Sequence, residues 1–250
     1  MICSPIRRRD VVSTSQNEFS PTERSRVRLM RQRGSYDRRV VYDILDSALM
    51  CNVGYVIDGQ PYVTPTAFWR EHNHLYWHGS SASRALNAQI KDIPVCVTVA
   101  HIDGLVMARS GFHSSVNYRA VMAFGKAQLV EGLAAKRAAM NVYMDRFCPD
   151  RAATNRTVTD KELNVTKVLV MEIDEASAKV RTGQPVDDDE DYELPIWAGV
   201  IDFKTVVDQI RPDPRNLQGV PTPAGIEAYT PGATLDSVLS SIYDGDKPPR

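Results

Sequence analysis

Two long runs of alternating apolar residues stand in succession in the middle of the chain, at 95–107 and 117–131. In the second, Val121, Ala123 and Gly125 would face one side while Met122 and Phe124 face the other. This is the period of two expected of a strand with one buried face. Strands of this length exceed the usual five or six residues. Two in succession cannot lie flat, because sheets twist. They predict a curled antiparallel sheet or a small barrel.

The flanking segments fit around that pair. Asp37 caps a helix whose Val40, Val41, Ile44, Leu45, Ala48 and Leu49 share one face. A strand over 51–57 meets Asp58-Gly59, a dipeptide that tolerates positive φ and suits a two-residue hairpin. The return strand is 61–69, and 75–78 is the next. Helices are expected over 82–91 and 134–147, with a further helical turn at 159–162. Strands follow at 165–173, 178–182 and 196–203, the last containing Trp197. The result is an α+β fold, mainly β, with six or seven mostly antiparallel strands and helices outside a small closed barrel.

Net charge is −1, so the whole chain has no bias toward nucleic acid or acidic lipid. The charge is uneven, however: residues 1–39 carry ten Arg against four acids. The division expected is a basic arm over 1–35, a barrel domain over 36–203 and an extended tail over 204–250 with little core of its own. The arm lacks interleaved aromatics, so a nucleic-acid role is not favoured. The four cysteines, Cys3, Cys51, Cys96 and Cys148, have no metal or redox spacing. No apolar run approaches the roughly 18–20 residues that span a bilayer. A cytoplasmic location without membrane association is the expectation.

The stretch 59–84, GQPYVTPTAFWREHNHLYWHGSSASR, carries the chemistry. It reads as strand, polar turn, strand, then a Ser-rich turn opening a helix. Helix starts present unpaired N–H groups and partial positive charge. Ser80, Ser81 and Ser83 add hydroxyls, and Arg84 adds a fork of donors suited to phosphate. Tyr62, Thr64 and Thr66 fall on one strand face, with Val63, Pro65 and Ala67 on the other. Pro65 has no N–H, so this strand should be an edge or face a ligand.

The segments PYVTPTAFWR (61–70), LYWHGSSASR (75–84) and SGFHSSVNYRAVMAFGKAQLV (110–130) together resemble the FMN-binding split-barrel proteins. These form the pyridoxamine 5'-phosphate oxidase-like superfamily, and the nitroimidazole-resistance-type flavoproteins are the nearest group. The resemblance spans about 36–203. It implies a six-stranded antiparallel split β-barrel and a homodimer with FMN at the subunit interface. It assigns Val63, Thr64, Pro65 and Thr66 to the flavin ring, and Trp77, His78 and Gly79 to the ribityl chain. Ser83 and Arg84 are assigned to the phosphate. Asn117, Tyr118 and Arg119, with His113, would line the cleft across the dimer, and Trp197 would reach it from the partner. No substrate-phosphate pocket or late R-x-H motif of the vitamin B6 oxidases is present.

The implied activity is an FMN-dependent oxidoreductase. It would take hydride from a donor such as a reduced nicotinamide and pass electrons to a small acceptor such as a nitroaromatic or quinone. His113 is the candidate acid or base, since its ordinary pKa lies near working pH. The alternative is a flavin- or haem-binding module without turnover, with His78 or His113 as an axial ligand. His72, His74 and His78 lack the ligand spacing zinc needs, so no metal site is expected. The acidic run 187–191 lacks the pattern of a calcium loop and reads as solvated.

Overall fold

The computed structural model describes residues 17–246. In chain order its strands are β1 (Gly34–Ser35), β2 (Met50–Ile57), β3 (Gln60–Glu71), β4 (His74–Ser80), β5 (Pro94–Met107), β6 (Ser115–Leu129), β7 (Thr166–Glu172), β8 (Glu175–Arg181) and β9 (Gly199–Asp202). The helices are α1 (Arg38–Asp46), α2 (Arg84–Gln89), α3 (Leu133–Phe147), α4 (Arg151–Thr154), α5 (Asp160–Asn164) and α6 (Leu235–Ile242). Every strand pairing is antiparallel.

Six strands close on themselves: β2 pairs with β3, β3 with β4, β4 with β7, β7 with β6, β6 with β5 and β5 with β2. The ring encloses an apolar core that includes Val53, Phe68, Leu75, Trp77, Val97, Val121, Leu169 and Met171. Outside it, β8 and β1 extend the sheet from β6, and β9 extends it from β5.

The two long alternating strands are the seam. β6 pairs with β5 along most of its length, but its other side changes neighbour. Tyr118 to Phe124 pair with β8, and Ala127 to Leu129 pair with β7. Gly125 sits at the change. A Cβ there would lie 2.3 Å from the Glu172 carbonyl oxygen, so only glycine permits the backbones to come so close. The predicted hairpin is formed as well: Asp58 and Gly59 both take positive φ, 50° and 78°, between β2 and β3.

Asp37 caps α1 by accepting the Arg39 N–H at 2.7 Å, and Val41, Ile44 and Leu45 are buried beneath that helix. The 159–162 turn is α5, held by a reciprocal capping box between Thr159 and Glu162.

Two readings need correcting, that of the tail and that of Trp197. The tail is not merely extended: α6 buries Val238 and Leu239, and Thr234 caps it. The basic arm, from residue 17 onward, packs on the body. Phe19 is buried in the core, Arg38 stacks over its ring, and Arg24 pairs with Glu175. Residues 1–16, including Cys3, lie outside the described residues. Trp197 precedes the last strand, which begins at Gly199. Among the described residues, no helix is long and apolar enough to cross a membrane.

Candidate functional site

β3 has two halves. Residues 68–71 pair with β4 alone, and that ladder stops at Phe68↔Trp77. From Gln60 to Ala67 the strand pairs with β2 alone. Its other edge is therefore open, and Pro65 lies in that open stretch, where its missing N–H costs no ladder bond. This is the edge position that the proline predicted.

Thr64, Thr66, Trp77, His78, Gly79 and Ser83 line one cleft of about 90 Å³, together with Val53, Ala85, Leu86 and Gln89. Three elements converge to make it: the open half of β3, the end of β4 and the start of α2. Ser83 is the N-cap of α2, its hydroxyl accepting the Leu86 N–H. The preceding turn closes through Ser83 N–H to the Ser80 carbonyl at 2.9 Å, and Ser81 N–H donates to the Val165 carbonyl.

Arg84 reaches back over β3. Its guanidinium donates to the Tyr62 hydroxyl and lies 4.9 Å from the centre of that ring. Tyr62 in turn stacks on Tyr55 at 5.7 Å, and the Tyr55 and Thr64 hydroxyls are 3.0 Å apart. Thus Arg84 bonds to a partly buried phenol, and among the described residues no carboxylate pairs with it. Tyr62 does not line the cleft but carries Arg84 beside it, from the strand face it shares with Thr64 and Thr66. Gln89 belongs to the cleft, fully buried and accepting the Trp77 indole N–H at 2.9 Å. Nothing in the sequence marks it, because its burial depends on how α2 lies against β4.

The alternation places Val63 and Pro65 on the opposite side of β3, and both are exposed. His78 turns away from Trp77 and toward α3. Its ring sits edge-on to Tyr143 at 4.6 Å and near Trp69. Its Nδ1 is buried with no hydrogen-bond partner among the described residues, and burial pushes its pKa down, favouring the neutral imidazole. On the same outer face of β4 runs a groove of about 750 Å³, walled by Tyr76, Val130, Ala139, Val142 and Val170 but also by the carboxylates of Glu71, Asp145 and Asp150.

The remaining predicted residues do not line the cleft within one chain. Asn117 is buried, donating to the Gly183 carbonyl and accepting from Arg181. Tyr118 is half-buried on β6. Arg119 is held by Asp103 through two bonds, at 2.8 and 2.9 Å, and by Asp236 of α6 at 2.6 Å. Its charge is therefore already matched. Trp197 is 68% exposed. His113 stands 3.4 Å from Asp188, and its nitrogen lies with the carboxylates of Asp188 and Asp191 within 4.8 Å of one another. The buried Asp187 ties the two loops together by accepting the Arg109 and Ser110 N–H groups and the Arg109 guanidinium. His113 and the acidic run, 74 or more residues apart in the chain, are brought together by these loops.

The family description "Pyridoxamine 5'-phosphate oxidase" matches residues 37–180. The flavocytochrome Anf3 from Azotobacter vinelandii is 42% identical, with a TM-score of 0.81 over 86% of this chain and 100% of that one. An FAD and haem binding protein from Mycobacterium smegmatis is 36% identical, with a TM-score of 0.76 over 81% of this chain and 98% of that one. A Bacteroides thetaiotaomicron protein assigned to 5-nitroimidazole antibiotic resistance is 24% identical. Its TM-score is 0.51 over 59% of this chain and 86% of that one, which shows a shared fold. No curated protein sequence matches.

Proposed function

The chain belongs to the pyridoxamine 5'-phosphate oxidase family, and from that premise we propose that it is a flavin-dependent redox protein. The observation that carries the proposal is the convergence of Thr64, Thr66, Trp77, Gly79 and Ser83 on one cleft beneath the open edge of β3. The residues suit a flavin. Thr64 and Thr66 would hold the polar edge of the ring. The unpaired backbone of β3 offers donors and acceptors beside them, and Ser83 with Arg84 would take the phosphate. When bound, a flavin supplies hydride and single-electron transfer. The chain's own contribution is orientation, exclusion of water by Trp77 and Leu86, and positive charge at Arg84.

The cleft is small, and it covers only part of a flavin. A homodimer would complete it, with His113, Asn117, Tyr118, Arg119 and Trp197 contributed by the partner. The exposure of Trp197 supports this reading. A reduced nicotinamide as donor and a nitroaromatic or quinone as acceptor stay with the proposal. His113 as acid or base in that reaction rests on the resemblance alone.

The sequence pointed to FMN. The two more similar solved structures favour a different form: one is described as binding FAD and haem, the other as a flavocytochrome. The first supports FAD, and both support haem as a second group beside the flavin. One observation of this chain favours that second reading. Burial holds the His78 imidazole in its neutral form, and among the described residues its buried Nδ1 has no hydrogen-bond partner, which leaves a ring nitrogen suited to ligate iron.

The absorbance spectrum of the purified protein tests both, with the released cofactor identified by mass. Flavin bands that bleach under anaerobic reduced nicotinamide are expected. A protein that retains neither FMN nor FAD overturns the flavin reading. A Soret band that disappears in His78→Ala while the flavin bands stay is expected for the haem reading, and a Soret band unchanged in that variant overturns the ligand assignment.

A further inference from the structure

After β9 the chain makes an excursion whose feet are pinned together. Val207 N–H donates to the Ala233 carbonyl at 2.9 Å, and Gly232 N–H donates to the Val207 carbonyl at 2.8 Å. The second part of the excursion is docked. The Tyr229 hydroxyl donates to the Phe147 carbonyl at 2.6 Å, and a Cβ on Gly225 would lie 2.8 Å from the Pro149 backbone. The first part is not. Every residue from 208 to 222 is exposed in the single chain, including Ile210, Val220 and Leu217, the last 79% exposed. Among the described residues its backbone bonds are local, Asn216 to Asp213 and Val220 to Leu217.

Structureless connections beyond about 12–15 residues are uncommon in compact proteins unless they serve a function. This one also carries Pro212, Pro214 and Pro221, which stiffen it in extended form and reduce the entropy lost when it docks. A pre-stiffened arm bearing three bare aliphatic side chains needs an apolar surface to lie on. One begins at its own foot. Ile201, Phe203 and Val206 are exposed, and Leu105 and Met107 stand exposed on the neighbouring strand, where Leu105 pairs with Ile201. The arm does not fold back onto this strip. Arm and strip belong to one sequence, so two copies related by a two-fold axis supply each other with both. A stable interface takes roughly 20–30 residues a side, and arm plus strip form a nearly continuous run of that size.

We infer that residues 208–222 are an exchanged arm that packs on the apolar strip of a second copy of this chain. The inference rests on the paired-subunit reading above. Its test uses the full chain and the triple variant Ile210→Asp, Leu217→Asp, Val220→Asp, whose sites are exposed and leave the fold intact. Light scattering across a dilution series reads the association. The native chain should be dimeric, and the variant should dissociate at a concentration at least ~10-fold higher. A photo-crosslinking phenylalanine analogue in place of Leu217 should yield a dimer-sized product mapped to Ile201–Val206 of the second copy. A native chain that stays monomeric overturns both the paired-subunit reading and the arm. A native dimer whose association is unchanged in the triple variant, or a cross-link confined to one chain, overturns the arm alone.

Discussion

Arg70 and Arg84 lie in the same stretch, 59–84, yet they serve opposite ends. Arg70 is 1% exposed. Its Nε meets Asp46 at 2.9 Å, its Nη1 meets Asp246 at 2.6 Å and the His72 carbonyl at 2.7 Å, and its face covers the Tyr42 ring. Burial alone would lower its pKa, but the two carboxylates outweigh that and raise it. Asp46 is pushed the other way by burial, with Arg70 opposing the push. Arg84 is exposed and leans on a tyrosine. A buried arginine whose charge is matched holds the protein together; an arginine left with a neutral partner beside a cleft is available to an anion. Arg119 sides with Arg70: Asp103 and Asp236 engage it, and Asp236 anchors one end of α6 while Asp246 ties down the chain beyond the other end.

This contrast can be broken most forcibly at Arg70. Arg70→Ala leaves the Asp46 carboxylate buried without its cation, and breaking such a pair costs about 3–5 kcal/mol. Denaturant unfolding should show that loss, while the flavin affinity of the molecules that remain folded is unchanged. Arg84→Ala should do the reverse. Stability should move by less than about 0.5 kcal/mol, as for other exposed substitutions. Losing charge-assisted bonds of about 1.5–3 kcal/mol should weaken flavin binding by roughly 10- to 100-fold, measured by fluorescence titration of the apoprotein. Equal flavin affinity in wild type and Arg84→Ala removes Arg84 from the site. Tyr62→Phe sharpens the comparison further. It keeps the ring beneath the guanidinium and deletes only its hydroxyl partner, so affinity should shift by less than about 1.5 kcal/mol, the net worth of one hydrogen bond.

The smallest expected effect is at His78. Its folded pKa is below the ordinary 6.5, so the unfolded chain binds the proton more readily. Stability of the apoprotein should therefore fall as pH drops below about 6.5, until the folded protein also takes the proton. His78→Phe should flatten that slope in thermal melts from pH 7 to 5. An unchanged slope would mean that the histidine is not held neutral by its surroundings.

Much of the fold was legible because it rests on local rules. Alternation marked β5 and β6, Asp58-Gly59 marked its hairpin, and Asp37 marked a helix start. Pro65 marked an open edge before the ladder on either side was known. Of the site, the face 62, 64, 66 and the turn ending in Ser83 were readable, since both follow from neighbours in the chain. Gln89 was not, and neither was the difference between Arg70 and Arg84. A strand arginine is drawn as exposed by default, and what buries Arg70 lies far away in sequence at Asp46, Tyr42 and Asp246. The helix at 235–242 is masked in the sequence by the Pro-rich excursion before it, although Leu235, Val238, Leu239 and Ile242 have helical spacing.

By itself, then, the sequence determined an antiparallel barrel, its principal turns and caps, and a flavin-type family resemblance. Each of these depends on side-chain period, backbone preference or a motif read along the chain. Only the tertiary structure decided which charges are neutralised and which stay available, and which apolar side chains find cover within one chain. Those outcomes depend on partners distant in sequence, and burial strengthens or removes a charge's interactions only once the partners have met.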